Sequence, residues 1–270
     1  MTEIIFGILG SLIATAITAK YYSIKYNIGR DNNIIKLFKI NPNNKIRICY
    51  ANIQSSSHYV SPISSLIPSG SFDYGDADSI LLVYDKFRTH YQKQVRWVRN
   101  EIPQTSKNGN LVTIAGPKWN ISTEQLIGEI GSPLYYSNGV SGLIERRITH
   151  KKENVHKFTF RENSGTIEAE DYGCLICARN NTLSKEIDCA LIVSGYTTFG
   201  TLFAAEALHS LKKEEVKKIS KSVENDNKFA ILVKGNIKLD LSGRIASPAK
   251  VEIITWIGER DFLAPYVYNY

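Results

Sequence analysis

The stretch from Cys189 to Leu211, CALIVSGYTTFGTLFAAEALHSL, constrains this chain more than any other. An apolar strand over Cys189–Ser194 reaches Gly195, crosses Tyr196-Thr197-Thr198-Phe199, meets Gly200-Thr201 and enters an alanine-bearing helix predicted over Thr201–Leu211. A continuous apolar strand that hands directly to a helix belongs in a sheet covered by helices, where ligands sit beyond the carboxyl ends of the strands. Backbone N–H groups left free at the helix start favour an anion such as phosphate. Glycine lets the backbone approach it, and the hydroxyls of Thr197, Thr198 and Thr201 add donors. The competing reading is a tight strand-to-helix turn in which Ala204 and Ala205 simply pack close on the sheet. The Gly195–Gly200 spacing matches the glycines of G-x-x-x-x-G-K-[ST], but Thr201 occupies the lysine position, which excludes a phosphate-loop NTPase.

A second junction has the same form. Leu111–Ala115 reads as a buried strand ended by Gly116-Pro117, and Lys118-Trp119-Asn120 leads to a helix over Ser122–Ile130 capped by Ser122 or Thr123. Lys118 would neutralise phosphate, Trp119 would stack and Asn120 would hydrogen-bond a base or sugar. In a sheet wound on both faces this turn opens on the same edge as Gly195–Thr201. Glu170-Asp171-Tyr172-Gly173 lies between two predicted strands, TIEAE and CLICAR, as a hairpin turn or as carboxylates for ribose hydroxyls.

Around these junctions the order is strand (Lys45–Ile53), a loop with eight serines between Ser55 and Ser71, and a helix within Asp76–Gln94. A β-rich insert spans Leu143–Arg179, a charged helix covers Lys212–Glu224, and Phe229–Leu239 with Lys250–Ile257 forms a closing hairpin around Ser242-Gly243. The result is an α/β sheet with antiparallel additions. At 270 residues the chain suits one large domain or two small ones.

The formal charge of +7 is local. Seven bases (Lys20, Lys25, Arg30, Lys36, Lys39, Lys45, Arg47) stand against Asp31 between Lys20 and Tyr50, so the remainder is nearly neutral and presents no nucleic-acid-binding face. This basic collar follows Ile4–Ala19, an uncharged stretch that spans roughly 24 Å as a helix. A signal peptide needs a basic start, which Thr2-Glu3 does not provide, and a buried helix of a soluble fold is the other competitor. We expect a transmembrane anchor over 1–22, a basic linker over 23–44 and a ligand-binding domain over 45–270. By the positive-inside rule that domain is cytoplasmic, on a single-pass protein of the cell inner membrane. Four cysteines suit a reducing compartment. Gly7, Ser11 and Thr15, and likewise Gly10, Ala14 and Thr18, repeat small residues at helix-packing spacing, which points to a homo-oligomer.

Other constellations fail. The five histidines lack metal-binding spacing, so no metal or other cofactor is expected. Cys174 and Cys177, three apart on a strand, point to opposite faces. No carboxylate pair with an acid–base role and no G-x-S-x-G appears.

Taken together, Ala115-Gly116-Pro117 with Asn120, Asp171-Tyr172-Gly173, and Gly195 with Phe199-Gly200-Thr201 and Ala204-Ala205 resemble a set of uncharacterised prokaryotic proteins. These share a Rossmann-like domain, often fused to a membrane segment or a DNA-binding module, and the resemblance covers roughly Lys45 to Ile257. Asn181 departs from the pattern, where a proline is expected. The resemblance implies a Rossmann-like ligand-sensing module whose fused partner supplies the output. The expected function is a membrane-anchored sensor or effector, in antiviral defence or stress signalling. It would bind a nucleotide-like small molecule through Gly116, Pro117, Lys118, Asn120, Asp171 and Gly195–Thr201, and thereby alter anchor packing in the lipid bilayer. The rivals are a nucleoside- or nucleotide-processing enzyme using Asp171 or Glu170 at the same crevice, and a membrane scaffold with an empty crevice.

Overall fold

The computed structural model describes residues 37–38, 40, 44–50, 78–87, 95–99, 109–150, 152–163, 165–179, 187–240 and 245–266. The expected anchor at Ile4–Ala19, the serine-dense loop and the Ser242-Gly243 turn lie outside them. Among the described residues no helix is long and apolar enough to cross a membrane.

The chain forms an α/β sheet. In order the elements are β1 (Ile46–Tyr50), a helix α1 over residues 78–87, β2 (Val95–Arg99), β3 (Asn110–Ile114), α2 (Ile121–Ile130), β4 (Leu134–Tyr135), β5 (Gly142–Glu145), β6 (Asn154–Lys157) and β7 (Thr159–Asn163). There follow β8 (Thr166–Arg179), β9 (Cys189–Gly195), α3 (Thr198–Ser210), α4 (Lys213–Ser222), β10 (Lys228–Asp240) and β11 (Ile245–Gly258). The main sheet has the order β11-β10-β8-β9-β3-β1-β2, with β7 on β8, and β4-β5-β6 form a small second sheet. Strands β2, β1, β3 and β9 are parallel, while β8, β10 and β11 continue the sheet antiparallel.

The burial of the parallel strands follows from their sequences. NLVTI and CALIVSG are buried at every position because helices or the small sheet cover both faces. One face packs Val83 and Phe87 of α1, Phe203 and Leu208 of α3, and Val216 and Ile219 of α4 over Ile48, Val112, Leu175 and Val193. The other packs Leu126 and Ile130 of α2 with Leu134, Tyr136 and Leu143 over Cys174, Ile176, Ile192 and Leu232. The alternation of β8 sorts these sets: Leu175 and Cys177 face the α3 side, while Cys174 and Ile176 face the α2 side.

Four sequence expectations change. TIEAE and CLICAR are one fourteen-residue strand, so Glu170–Gly173 is strand interior and not a turn. VRWVR, unread in the sequence, is the edge strand β2. Helix α3 begins at Thr198, a turn ahead of its expected start. The cap of α2 is Asn120, whose Oδ1 accepts from the amides of Ser122 and Thr123, the two residues expected to cap it.

The α3 corner is close-packed. A Cβ on Gly195 would lie 2.1 Å from the Gly200 carbonyl carbon and the Thr201 nitrogen, and one on Gly173 would lie 2.1 Å from the Gly200 oxygen. The glycines therefore bring α3 onto β8 and β9, as the close-packing reading of this junction required. Gly195→Ala has no flexible neighbour to displace and should destabilise the fold by about 3 kcal/mol or more. Urea unfolding should show a lower midpoint at unchanged slope.

Candidate functional site

Strands β3 and β9 are adjacent and parallel, yet the chain leaves them on opposite faces, to α2 from β3 and to α3 from β9. Their carboxyl ends therefore mark a switch point, where an open α/β sheet leaves room for a ligand. The two glycine junctions meet there. The Ala115 amide donates to the Val193 carbonyl at 3.1 Å, and a Cβ on Gly116 would lie 2.8 Å from the Gly195 oxygen. Ala115 itself has φ +96°, a conformation that L residues avoid. Strain of this kind persists only where surrounding packing enforces it, and it clusters at ligand clamps and active sites.

Asp171 is brought to the same edge by β8, with Gly173 opposite Gly195. Its side chain is fully buried and lies under the first turn of α3. Oδ2 accepts from the Thr197 hydroxyl at 2.6 Å, the Gly200 amide at 2.9 Å and the Thr197 amide at 3.3 Å. The Thr197 oxygen in turn accepts from the Phe199 amide at 3.1 Å, and the Thr201 amide bonds the Thr197 carbonyl. Of the amides expected to cradle an external anion, those of Thr197 and Gly200 are thus occupied by the protein's own carboxylate, and those of Phe199 and Thr201 by Thr197. A phosphate arriving at Gly195–Thr201 would meet a like charge already seated there, which corrects the cradle reading of this turn.

The second junction divides in two. Asn120 is fully buried, its Nδ2 donating to the carbonyls of Cys49 at 3.1 Å and Ile114 at 3.0 Å while Oδ1 caps α2. It ties the ends of β1 and β3 to α2 and does not face a ligand. Gly116 and Pro117 are buried beside it, whereas Lys118 and Trp119 are exposed on the rim, with the ammonium 5.5 Å from the indole centroid. Tyr196, Thr197 and Thr198 are half-buried, and Phe199, Gly200 and Thr201 are buried. The hydroxyl of Thr198 is buried without a hydrogen-bond partner, as is Asp171 Oδ1.

Two features escaped the sequence. Glu145 of β5 binds the Arg147 Nε at 2.6 Å and the His156 Nε2 at 2.8 Å, and the imidazole lies 4.9 Å from the Tyr172 ring. His156 first, then Arg147, hold the Glu145 carboxyl below its usual range. The β5–β6 pairing brings His156 to Glu145, and no local spacing announces that pair. The second is a cavity of about 300 Å³ lined by Asp78, Leu81, Leu82, Asp85 and Glu206. It is acidic, burial and Asp78 raise Glu206, and it would repel an anion. Glu170 lies in the Lys234 ion pair at 2.8 Å. Among the described residues no three His, Cys, Asp or Glu side chains are placed to hold a metal.

Burial raises the Asp171 carboxyl from 3.8 to about 6, against the pull of the Thr197 hydroxyl and the amides of Tyr172, Thr197 and Gly200. Since the folded value lies above the unfolded one, the contribution to stability is full below about pH 4 and is lost as pH rises through about 6. The difference is on the order of 3 kcal/mol. Asp171→Asn should remove this component: relative to wild type, its unfolding free energy should rise between pH 4 and pH 7. Parallel profiles would show that the carboxylate titrates normally.

No protein-family model, no curated protein and no solved structure matches this chain. Its function is read from the geometry.

Proposed function

We propose that residues 45–270 form a Rossmann-like ligand-binding module that takes a nucleotide-like anion at the carboxyl edge of β3 and β9, as the sensing part of a membrane-anchored effector. The observation that carries this reading is the switch point itself, where two glycine junctions touch, Ala115 is held at φ +96° and an exposed Lys–Trp pair stands on the rim. With the Thr197 and Gly200 amides committed to Asp171, the ligand's charge falls to Lys118. Its base has the Trp119 face to stack on, and the Thr198 hydroxyl is placed at the same corner. Tethering and oligomerisation rest on the N-terminal sequence. A ligand would act by favouring one assembly state of the anchors over another.

The pairing of Glu145 with His156 favours a second reading, a nucleotide-processing enzyme. A carboxylate that fixes one ring nitrogen leaves the other oriented for proton transfer. Asp171 suits that role less well, because it is sealed beneath α3.

Titration of the full chain in mild detergent with a panel of nucleoside mono-, di-, tri- and cyclic phosphates tests both. The binding reading expects one member, at about 100 times its dissociation constant, to stabilise the fold by roughly 2.7 kcal/mol without product. Lys118→Ala with Trp119→Ala should abolish that shift while leaving the unliganded melting temperature within about 2 °C, as for surface changes. Turnover that His156→Ala eliminates would establish the enzyme instead. No shift with any member would leave the crevice without a nucleotide and overturn the proposal.

A further inference from the structure

At the opposite, amino edge of the sheet, two thiols share one acceptor. Cys177 of β8 and Cys189 of β9 have their sulfurs 4.0 Å apart, and each donates to the Phe38 carbonyl, at 3.5 and 3.3 Å. Arg179 Nη2 donates to the neighbouring Leu37 carbonyl at 3.2 Å, and Phe38 stacks on Phe229 at 5.5 Å. Leu37, Phe38 and Ile40 are all buried, so this short piece of chain is docked over the thiol pair. It lies within the basic collar, the part of the sequence that leads back to Ile4–Ala19.

We propose that Cys177 and Cys189 form a thiol–disulfide latch that a hydroperoxide closes and that controls docking of the Leu37–Ile40 segment. The hydrogen bond with the neighbouring Cys177 thiol, and after it burial, push Cys189 well up, so a covered pair is unreactive. Lifting the segment exposes it. One thiolate sulfur then attacks the peroxide oxygen, the O–O bond breaks, and the alkoxide leaves as alcohol with the thiol proton. The sulfenic acid so formed is attacked by the second sulfur, the S–O bond breaks, and hydroxide leaves with the second proton as water. Two electrons pass from the sulfur pair to the peroxide. The disulfide has no S–H to offer Phe38, so the segment cannot regain those two bonds until a thiol reductant restores them.

The register makes this bond a labile one. Cys177 is opposite Leu191 and Cys189 opposite Arg179, which places the cysteines diagonally. Diagonal Cα atoms lie about 7–8 Å apart, just beyond the usual disulfide limit of about 6.8 Å. Closing it requires a small backbone shift, and strained disulfides are the readily reduced, regulatory kind. Cys49 bonds Ser122 at 3.2 Å and Cys174 contacts Tyr136 at 3.6 Å, both on the other side of the sheet and away from this pair.

The test uses the full chain with hydrogen peroxide, followed by alkylation, peptide mapping and hydrogen exchange. A 177–189 disulfide should appear, reversible by dithiothreitol, and exchange across residues 37–40 should rise about tenfold in the oxidised form. Cys177→Ser with Cys189→Ser keeps hydroxyl donors for the Phe38 carbonyl, so its exchange should match reduced wild type and ignore peroxide. If that double variant does not fold, Cys189→Ala alone should show the same indifference to peroxide. Three results would each overturn the latch: a disulfide elsewhere, none even when dilute urea loosens residues 37–40, or a 177–189 disulfide with unchanged exchange. None of them bears on the nucleotide crevice.

Discussion

The seat of Asp171 under α3 sets the geometry of the carboxyl edge. A carboxyl group removed from water is tolerated only where donors replace its hydration, and here those donors are the Thr197 hydroxyl, the Thr197 amide at the helix cap and the Gly200 amide in its first turn. The same bonds satisfy helix donors that would otherwise be left bare. Carboxyl and helix therefore need each other, and each fixes the other's position. Burial still outweighs the donors, since the group remains easier to protonate than in solution.

That arrangement explains the three glycines around it without any ligand. Gly173, Gly195 and Gly200 touch one another's backbones at distances that leave no room for a Cβ, and Gly235 admits the Phe203 ring in the same way. A helix that must bring its first amides to a carboxylate on the neighbouring strand has to lie this close. The open part of the edge is accordingly the other junction, where packing stops at Pro117 and the next two side chains emerge into solvent. Strain at Ala115 belongs to this part too, since the backbone must turn sharply there while Asn120 holds Ile114 from below.

The sequence revealed the fold where burial and period coincide, and failed where contacts are long-range. CALIVS and LVTIA read as buried strands because no charge interrupts them, and the alanines after Gly200 placed α3 on the sheet. VRWVR gives no strand signal because Arg96 and Arg99, three apart, break the period-two alternation. The Asp171 error had a different source. Glu-Asp-Tyr-Gly has turn-forming residues, and the pairing of β8 with β10, flanked by β7 at Glu170 and β9 at Gly173, holds it extended. Tertiary pairing overrode local propensity there. Asn120 reads in the sequence as a contact to a base or sugar, but its partners, the Cys49 and Ile114 carbonyls, lie on two different strands that no local spacing brings together. Of the expected binding set, only Lys118 keeps an ionic group on the rim.

One strand joins the two edges. β8 carries Asp171 at the carboxyl edge and Cys177 and Arg179 at the amino edge, and it is paired on both sides along the stretch between them. A strand so held moves as a unit or not at all, because sliding by one residue would turn its whole apolar set to the wrong faces. An event at the carboxyl edge would therefore reach the Leu37 and Phe38 carbonyls through small rigid displacements of β8 relative to β9. The thiols and the Arg179 guanidinium sit where such a displacement would act, since their bonds to the Phe38 and Leu37 carbonyls are short-range and directional. Coupling of this kind demands two discrete arrangements of the docked segment, and the fold supplies a means of stabilising each: shared hydrogen bonds in one, a covalent link between the sulfurs in the other.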